Sequence, residues 1–175
     1  RFKNVSEVIR AGLRLLEEEE SKVIALKKAI QEGIKEIWLT SQDTGCYGFD
    51  INTNLPSLLN ELVKIPGDYK IRVGMMNPDH LIKIQDPLIK IYQHPKIFKF
   101  LHLPIQAGNN RVLELMKRQY EVQNFLKQVQ TFRLAIPEIS IMTDIIVGFP
   151  TETPEEFFDT QTCLRKTSPD YTNVS

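Results

Sequence analysis

Glu36-Ile37-Trp38-Leu39-Thr40-Ser41-Gln42-Asp43-Thr44-Gly45 is an apolar strand that runs straight into a polar, glycine-ended loop. Such a junction indicates a parallel α/β fold, in which the carboxyl ends of strands carry the ligand site and the loops there supply its polar groups. Two further stretches repeat the pattern. Phe100-Leu101-His102-Leu103-Pro104 opens into Ile105-Gln106-Ala107-Gly108-Asn109-Asn110, and Met142-Thr143-Asp144-Ile145-Ile146-Val147 opens into Gly148-Phe149-Pro150-Thr151-Glu152-Thr153. Three junctions of one kind imply one shared crevice.

On both sides of these junctions short apolar runs alternate with helical periodicities, the signature of parallel βα units. Strands are expected at Glu36 to Thr40, Lys70 to Gly74, Phe98 to Leu103, Ser140 to Val147 and Tyr171 to Ser175. Helices are expected at Leu55 to Lys64, Asp79 to Tyr92, Asn110 to Lys117, Val122 to Leu134 and Pro154 to Lys166. Ahead of them, Val5, Val8, Ile9, Leu13 and Leu16, then Val23, Leu26 and Ile30, recur at helical spacing after Asn4 or Ser6 as caps and before Gly33, which gives a long amino-terminal helix. The fold class is α/β: a curved, mostly parallel sheet with outer helices.

Composition bounds the rest. At 175 residues the chain buries one sizeable core, whereas a complete eight-stranded barrel takes about 250 residues. Lysine plus arginine equal aspartate plus glutamate at 22 each, so nothing has the basic excess of a stand-alone nucleic-acid binder. No apolar run reaches the length of a membrane span and no signal peptide opens the chain, so the expectation is a cytoplasmic protein. Two cysteines, Cys46 and Cys163, without a paired pattern fit a reducing compartment.

Individual residues divide between structural and functional readings. Asp43 before Gly45 is common turn chemistry. Asn109 can cap the helix after its loop. His102, alone in an apolar strand, reads as a hydrogen-bonded core residue, and His80, His94 and His102 match no common metal spacing. Arg111, Lys117 and Arg118 flank the helix after that loop and read either as contacts for a ligand carboxylate or RNA phosphate or, by preference, as a solvated helix face. Met75 and Met76 either line a cavity or pack the core. Asp144 is the informative one, since a carboxylate inside an apolar strand costs several kcal/mol to bury unless it is paired; it is expected to point inward while the other strand face meets helices. Gly148-Phe149-Pro150 lets the backbone approach a ligand closely.

The wording TSQDTGxYG, HLPIQAGNNRVLELMKR and TDIIVGFPTET resembles the radical S-adenosylmethionine barrel of the tRNA methylthiotransferases, in the branch that modifies threonylcarbamoyladenosine, over roughly Ala29 to Ser175. The resemblance implies a partial radical S-adenosylmethionine (βα) barrel over residues 34–175, with tRNA as partner. It also implies S-adenosylmethionine and a 4Fe-4S cluster as cofactors. Residues implied to bind the former are Gln42, Asp43, Gln106, Asp144, Gly148 and Phe149, with Phe149 beside an adenine or capping the core. Thr151 stands where the family usually has glycine. Family cluster ligands come from a CxxxCxxC loop, and this chain has no such loop. No catalytic or metal-ligating residue is therefore assigned, and the chain alone is expected to be inactive.

Residues 1–33, from Phe2-Lys3-Asn4-Val5 through the acidic run Glu17 to Glu20, resemble the carboxyl-terminal helical part of ParD-type antitoxins. That implies a different function: an interaction module that binds a ParE-like toxin, or self-associates, through Leu13, Leu16, Val23, Leu26 and Ile30.

Overall fold

The computed structural model describes residues 19–175, with side chains described from residue 24 onward. Five short strands follow in chain order: β1 (Glu36–Leu39), β2 (Lys70–Val73), β3 (Phe100–His102), β4 (Ser140–Ile145) and β5 (Tyr171–Val174). Their pairings are all parallel. β1 lies on β2 with Trp38 opposite Arg72, β3 on β4 with His102 opposite Met142, and β4 on β5 with Asp144 opposite Asn173.

The two ladders meet at an Ile71 to Ile97 bridge, where Ile71 N donates to Lys96 O at 2.7 Å and Phe98 N donates to Ile71 O at 2.9 Å. Farther along, Met76 N donates to His102 O at 3.1 Å. The result is an arc of five strands in sequence order. Among the described residues it does not close into a barrel, since β1 and β5 each have a single neighbour. The β3 ladder is shorter than the sequence suggests because Phe98 pairs with β2 while Phe100 to His102 pair with β4.

Helices cover one side of the arc: α1 (Glu19–Gln31), α2 (Leu55–Lys64), α3 (Pro78–Tyr92), α4 (Asn110–Leu115), α5 (Val122–Ala135) and α6 (Pro154–Thr167). Their apolar residues recur every three or four positions, as in Leu81, Ile84, Leu88 and Ile91 of α3 or Phe125, Val129 and Phe132 of α5, and these stripes are buried. Ile37, Leu39, Ile71, Val73, Leu101, Ile141 and Ile145 alternate along the strands to meet them. Each such side chain contributes about 1.5–3 kcal/mol on full burial. The intervening residues, Trp38, Arg72, Phe100, His102, Met142 and Asp144, face the open side of the arc.

Local signals fix the helix starts. Asn54 accepts from Ser57 N at 3.0 Å, Asn109 accepts from Arg111 N at 2.9 Å, and Thr153 with Glu156 forms a capping box. The helix expected to reach Lys117 stops at Leu115, and Lys117 turns the chain with a φ of 56°.

Val5, Val8, Ile9, Leu13 and Leu16 lie outside the described residues. The last turn of α1 is inside the core, however: Ala29 and Ile30 are buried, and Ile30 packs in the same cluster as Ile37 and Tyr69.

Gly108 sits hard against α6. A Cβ there would come within 2.4 Å of Thr160 Cα and 2.7 Å of Asp159 O, and the Gly108 N donates to Thr160 Oγ1 at 2.8 Å. Gly108→Ala is expected to lower the unfolding free energy in a urea titration by about 1–3 kcal/mol through this overpacking, whereas Gly33→Ala, with no atom within 4 Å of the added carbon, should meet only backbone strain at its positive φ.

Candidate functional site

The three strand-to-loop junctions converge at the carboxyl ends of the arc. On its open side, Asp144 of β4 is held between two neighbours: its Oδ2 lies 2.8 Å from His102 Nε2 on β3, and its Oδ1 accepts from Asn173 Nδ2 on β5 at 2.8 Å. A row of three polar side chains thus crosses three adjacent strands, and the carboxylate has the partners its position demands. Asp144 points inward as expected. His102 is hydrogen-bonded as expected, but it faces the open crevice rather than the core, with 18% of its side chain exposed.

Gln106 follows directly. Its backbone has a φ of 71°, and it pairs beside β4 by donating N–H to Asp144 O at 2.9 Å and accepting from Ile146 N at 2.8 Å. This carries β3 past Pro104 and sets Gln106 next to the Asp144 row. Among the described residues the Gln106 and Gln42 carboxamides have no hydrogen-bond partner, and Gln42 is exposed in the loop after β1.

Asp43 is used differently. Its Oδ1 accepts from Gly45 N at 2.8 Å and Asn77 N at 3.2 Å, while its Oδ2 accepts from Asn77 Nδ2 at 2.6 Å and lies 2.5 Å from His80 Nδ1. The turn reading of Asp43 before Gly45 is therefore realised, and one carboxylate also ties the loop after β1 to the start of α3. His80 stacks edge-on against Phe49 with centroids 5.6 Å apart. Sequence reasoning missed His80 and Asn77 because their partner is more than 30 residues away; the available signal was that both follow β2, whose end adjoins that of β1.

Gly148 has a φ of 67°, and its N–H and that of Phe149 both donate to Glu152 Oε2, at 2.8 and 3.3 Å. Phe149 is half-buried and packs on the core. Thr151 adopts a φ of 73°, the left-handed conformation that explains why glycine suits this position. Arg111 is not a free cation. Its Nε and Nη2 donate to the two Glu156 carboxylate oxygens at 2.6 and 2.8 Å, and Nη2 also donates to Thr151 O at 2.7 Å.

Nearer the amino ends, Arg72 is stacked between Trp38 and Phe100, 4.8 and 4.4 Å from their ring centroids. It borders a cavity of about 470 Å³ shared with Glu36, Lys99, Ser140, Met142 and Tyr171. Of the two methionines after β2, Met76 is buried in the core and Met75 is half-buried. Cys46 is half-buried in the loop after β1, donates to Asp43 O at 3.3 Å, and has its thiol pKa pushed up by burial and by the Asp43 charge. Cys163 is buried on α6, its thiol pushed up to about 11 by burial.

The Arg111 guanidinium, followed by the Thr153 amide, holds the Glu156 carboxyl down to about 2. A depressed carboxylate contributes stability that is present above its unfolded value of about 4.3 and is lost as the pH falls through the folded value. Stability should therefore decline between about pH 4.5 and 2, and Glu156→Gln should flatten that limb of a pH series of thermal melts. Thr151→Gly is expected to raise stability by about 0.5–1 kcal/mol by relieving the left-handed strain, read in the same melts.

Comparison with known proteins places this geometry. The sequence matches the radical SAM superfamily over residues 6–164. It is 52% identical over 150 residues to the probable threonylcarbamoyladenosine tRNA methylthiotransferase of Pyrococcus abyssi, covering 86% of this chain and 35% of that protein. It is 47% identical over 135 residues to the Homo sapiens threonylcarbamoyladenosine tRNA methylthiotransferase, covering 77% of this chain and 23% of that one. The chain thus spans about a third or less of the length of these relatives. In three dimensions it is similar to coproporphyrinogen III oxidase (HemN) from Escherichia coli, a radical SAM enzyme, with a TM-score of 0.58 at 16% identity over 99% of this chain and 39% of that one, a likeness of fold. With the parallel βα arc, the polar strand ends and a match over most of its length, the chain belongs to the radical SAM superfamily.

Proposed function

We propose that this chain is part of the barrel of a cytoplasmic tRNA methylthiotransferase, an enzyme that adds a methylthio group to threonylcarbamoyladenosine. Its role there is to hold S-adenosylmethionine at the carboxyl ends of the strands. The observation that carries this reading is the identity, over most of the chain, with proteins named for that activity. No helix among the described residues is long and apolar enough to cross a membrane.

The residues present fit S-adenosylmethionine, a zwitterion joined to an adenosine. Gln106, with its carboxamide unpartnered beside the Asp144 row, offers both donor and acceptor to the ligand's amino and carboxylate groups. Gln42 does the same from the first loop. Asp43 holds that loop in place rather than reaching out, since both of its oxygens are engaged by the protein. Asp144 orients His102 toward the crevice, Gly148 admits the ligand without a Cβ in the way, and Phe149 offers a ring edge for adenine. S-adenosylmethionine bound here would be a radical precursor, needing an electron from a cluster that these residues do not hold; what this chain's residues do is bind and position it.

A 4Fe-4S cluster does not fit these 175 residues. Its ligands are thiolates; Cys46 lies in the loop after β1 and Cys163 is buried on α6, so no three converge. We infer that this chain in isolation holds the ligand but not the cluster, and is inactive. The toxin-binding alternative for residues 1–33 needs a free helix face, and Ile30 of that face is buried against the barrel piece.

Equilibrium dialysis with labelled S-adenosylmethionine should show saturable binding, weakened about tenfold or more by Gln106→Ala, a loss of roughly 1.4 kcal/mol or more. Anaerobic reconstitution with iron and sulfide should leave no stoichiometric iron on the chain. About four irons with a broad thiolate-to-iron absorbance would overturn the cysteine argument.

A further inference from the structure

We propose that Asp43, Cys46 and His80 form a binding site for a zinc-class divalent cation, one that staples the loop after β1 to the first turn of α3. One Asp43 oxygen, Cys46 Sγ and a His80 ring nitrogen all lie within 4.8 Å of one another. The cluster lies beside the strand ends, and neither S-adenosylmethionine nor iron is a member of it.

The geometry suits a four-coordinate ion. With metal bonds of about 2.0 Å to nitrogen or oxygen and about 2.3 Å to sulfur, ligand atoms of a tetrahedral site stand roughly 3.3–3.7 Å apart. Asp43 Oδ2 and His80 Nδ1, now 2.5 Å apart, would separate by about 1 Å to admit the ion. The loop need not unravel, because Asp43 Oδ1 keeps its bonds to Gly45 N and Asn77 N. With Nδ1 on the metal, His80 Nε2 faces Asp79 Oδ2 at 3.7 Å, the carboxylate partner that metal-binding imidazoles usually have. Phe49 fixes the ring plane.

Two further features point to a ligand. The Asn77 Oδ1 is buried without a hydrogen-bond partner, although Asn77 Nδ2 bonds to the same Asp43 oxygen. A buried acceptor of this kind needs a donor, and a water in the fourth metal position supplies one. The charges also close: an ionised Asp43, a Cys46 thiolate and a neutral His80 offset a doubly charged cation. Thiolate and imidazole together favour zinc or cobalt over magnesium or calcium. Binding expels the thiol proton to solvent, and nothing is oxidised or reduced.

Cobalt(II) is the probe, titrated under reducing conditions without sulfide into the purified chain. The expected result is a near-ultraviolet thiolate-to-cobalt band with intense visible bands of a four-coordinate ion, bleached by stoichiometric zinc and unaffected by excess magnesium. Cys46→Ser should abolish the near-ultraviolet band, Asp79→Asn should weaken binding about tenfold, and Cys163→Ser should change neither. Asp43 is left intact because it anchors the loop; thermal melts without metal should show Cys46→Ser folded like the parent. A parent chain with no thiolate band overturns the proposal, as does a band that survives Cys46→Ser.

Discussion

A parallel ladder cannot be closed by a tight turn, so each pair of neighbouring strands in this chain must be joined by a crossover that climbs back along the sheet. Every crossover here contains at least one helix, and all the described helices lie on one side of the arc. That constraint fixes the division of the molecule. One face of each strand is committed to apolar packing under helices, and the other is released from it. The same period-two alternation that buries Ile141, Thr143 and Ile145 therefore delivers Met142 and Asp144 to the open side. A one-residue slip in register would exchange the two sets and place a carboxylate under the helices, which gives the pairing its specificity.

The open face is consequently free to be polar, and it is graded along the strands. Near the amino ends the Arg72 guanidinium lies between the Trp38 and Phe100 rings, a stacked cation–aromatic arrangement that covers apolar surface while keeping a charge. Near the carboxyl ends His102, Asp144 and Asn173 form a hydrogen-bonded row. The first set packs and the second presents donors and acceptors.

Most of the strand and helix order was legible in the sequence because each element carries a local signature: the T-P-E-E cap before α6, Asn109 before α4, the apolar runs of β1 and β4. Asp144 was legible for a related reason, since a lone carboxylate in an apolar strand has few acceptable fates. The tertiary pairs were not. Arg111 read as a solvated cation, yet it holds Glu156 on α6, 45 residues away. Asp43 read as a ligand for a bound zwitterion or as a turn former. The turn is real, and its remaining capacity goes to Asn77 and His80. Spacing along a chain cannot show such pairs, because which loops meet is decided by strand order, and strand order is a property of the whole sheet.

The Asp43 cluster shows how far one half-buried carboxylate organises its surroundings. It receives two backbone N–H groups, from Gly45 and Asn77, that would otherwise lack a partner in a loop too irregular for a ladder. Thr44 reinforces the same junction, its Oγ1 and its backbone N–H both donating to Met75 O at 2.9 Å. The loop after β1 and the segment after β2 are therefore one unit, joined before either reaches the crevice. Gln42 rides on that unit and stays exposed because the residue beside it does the anchoring. Positioning and presentation fall to adjacent residues here: the chain can vary what it shows at residue 42 without loosening the loop that shows it.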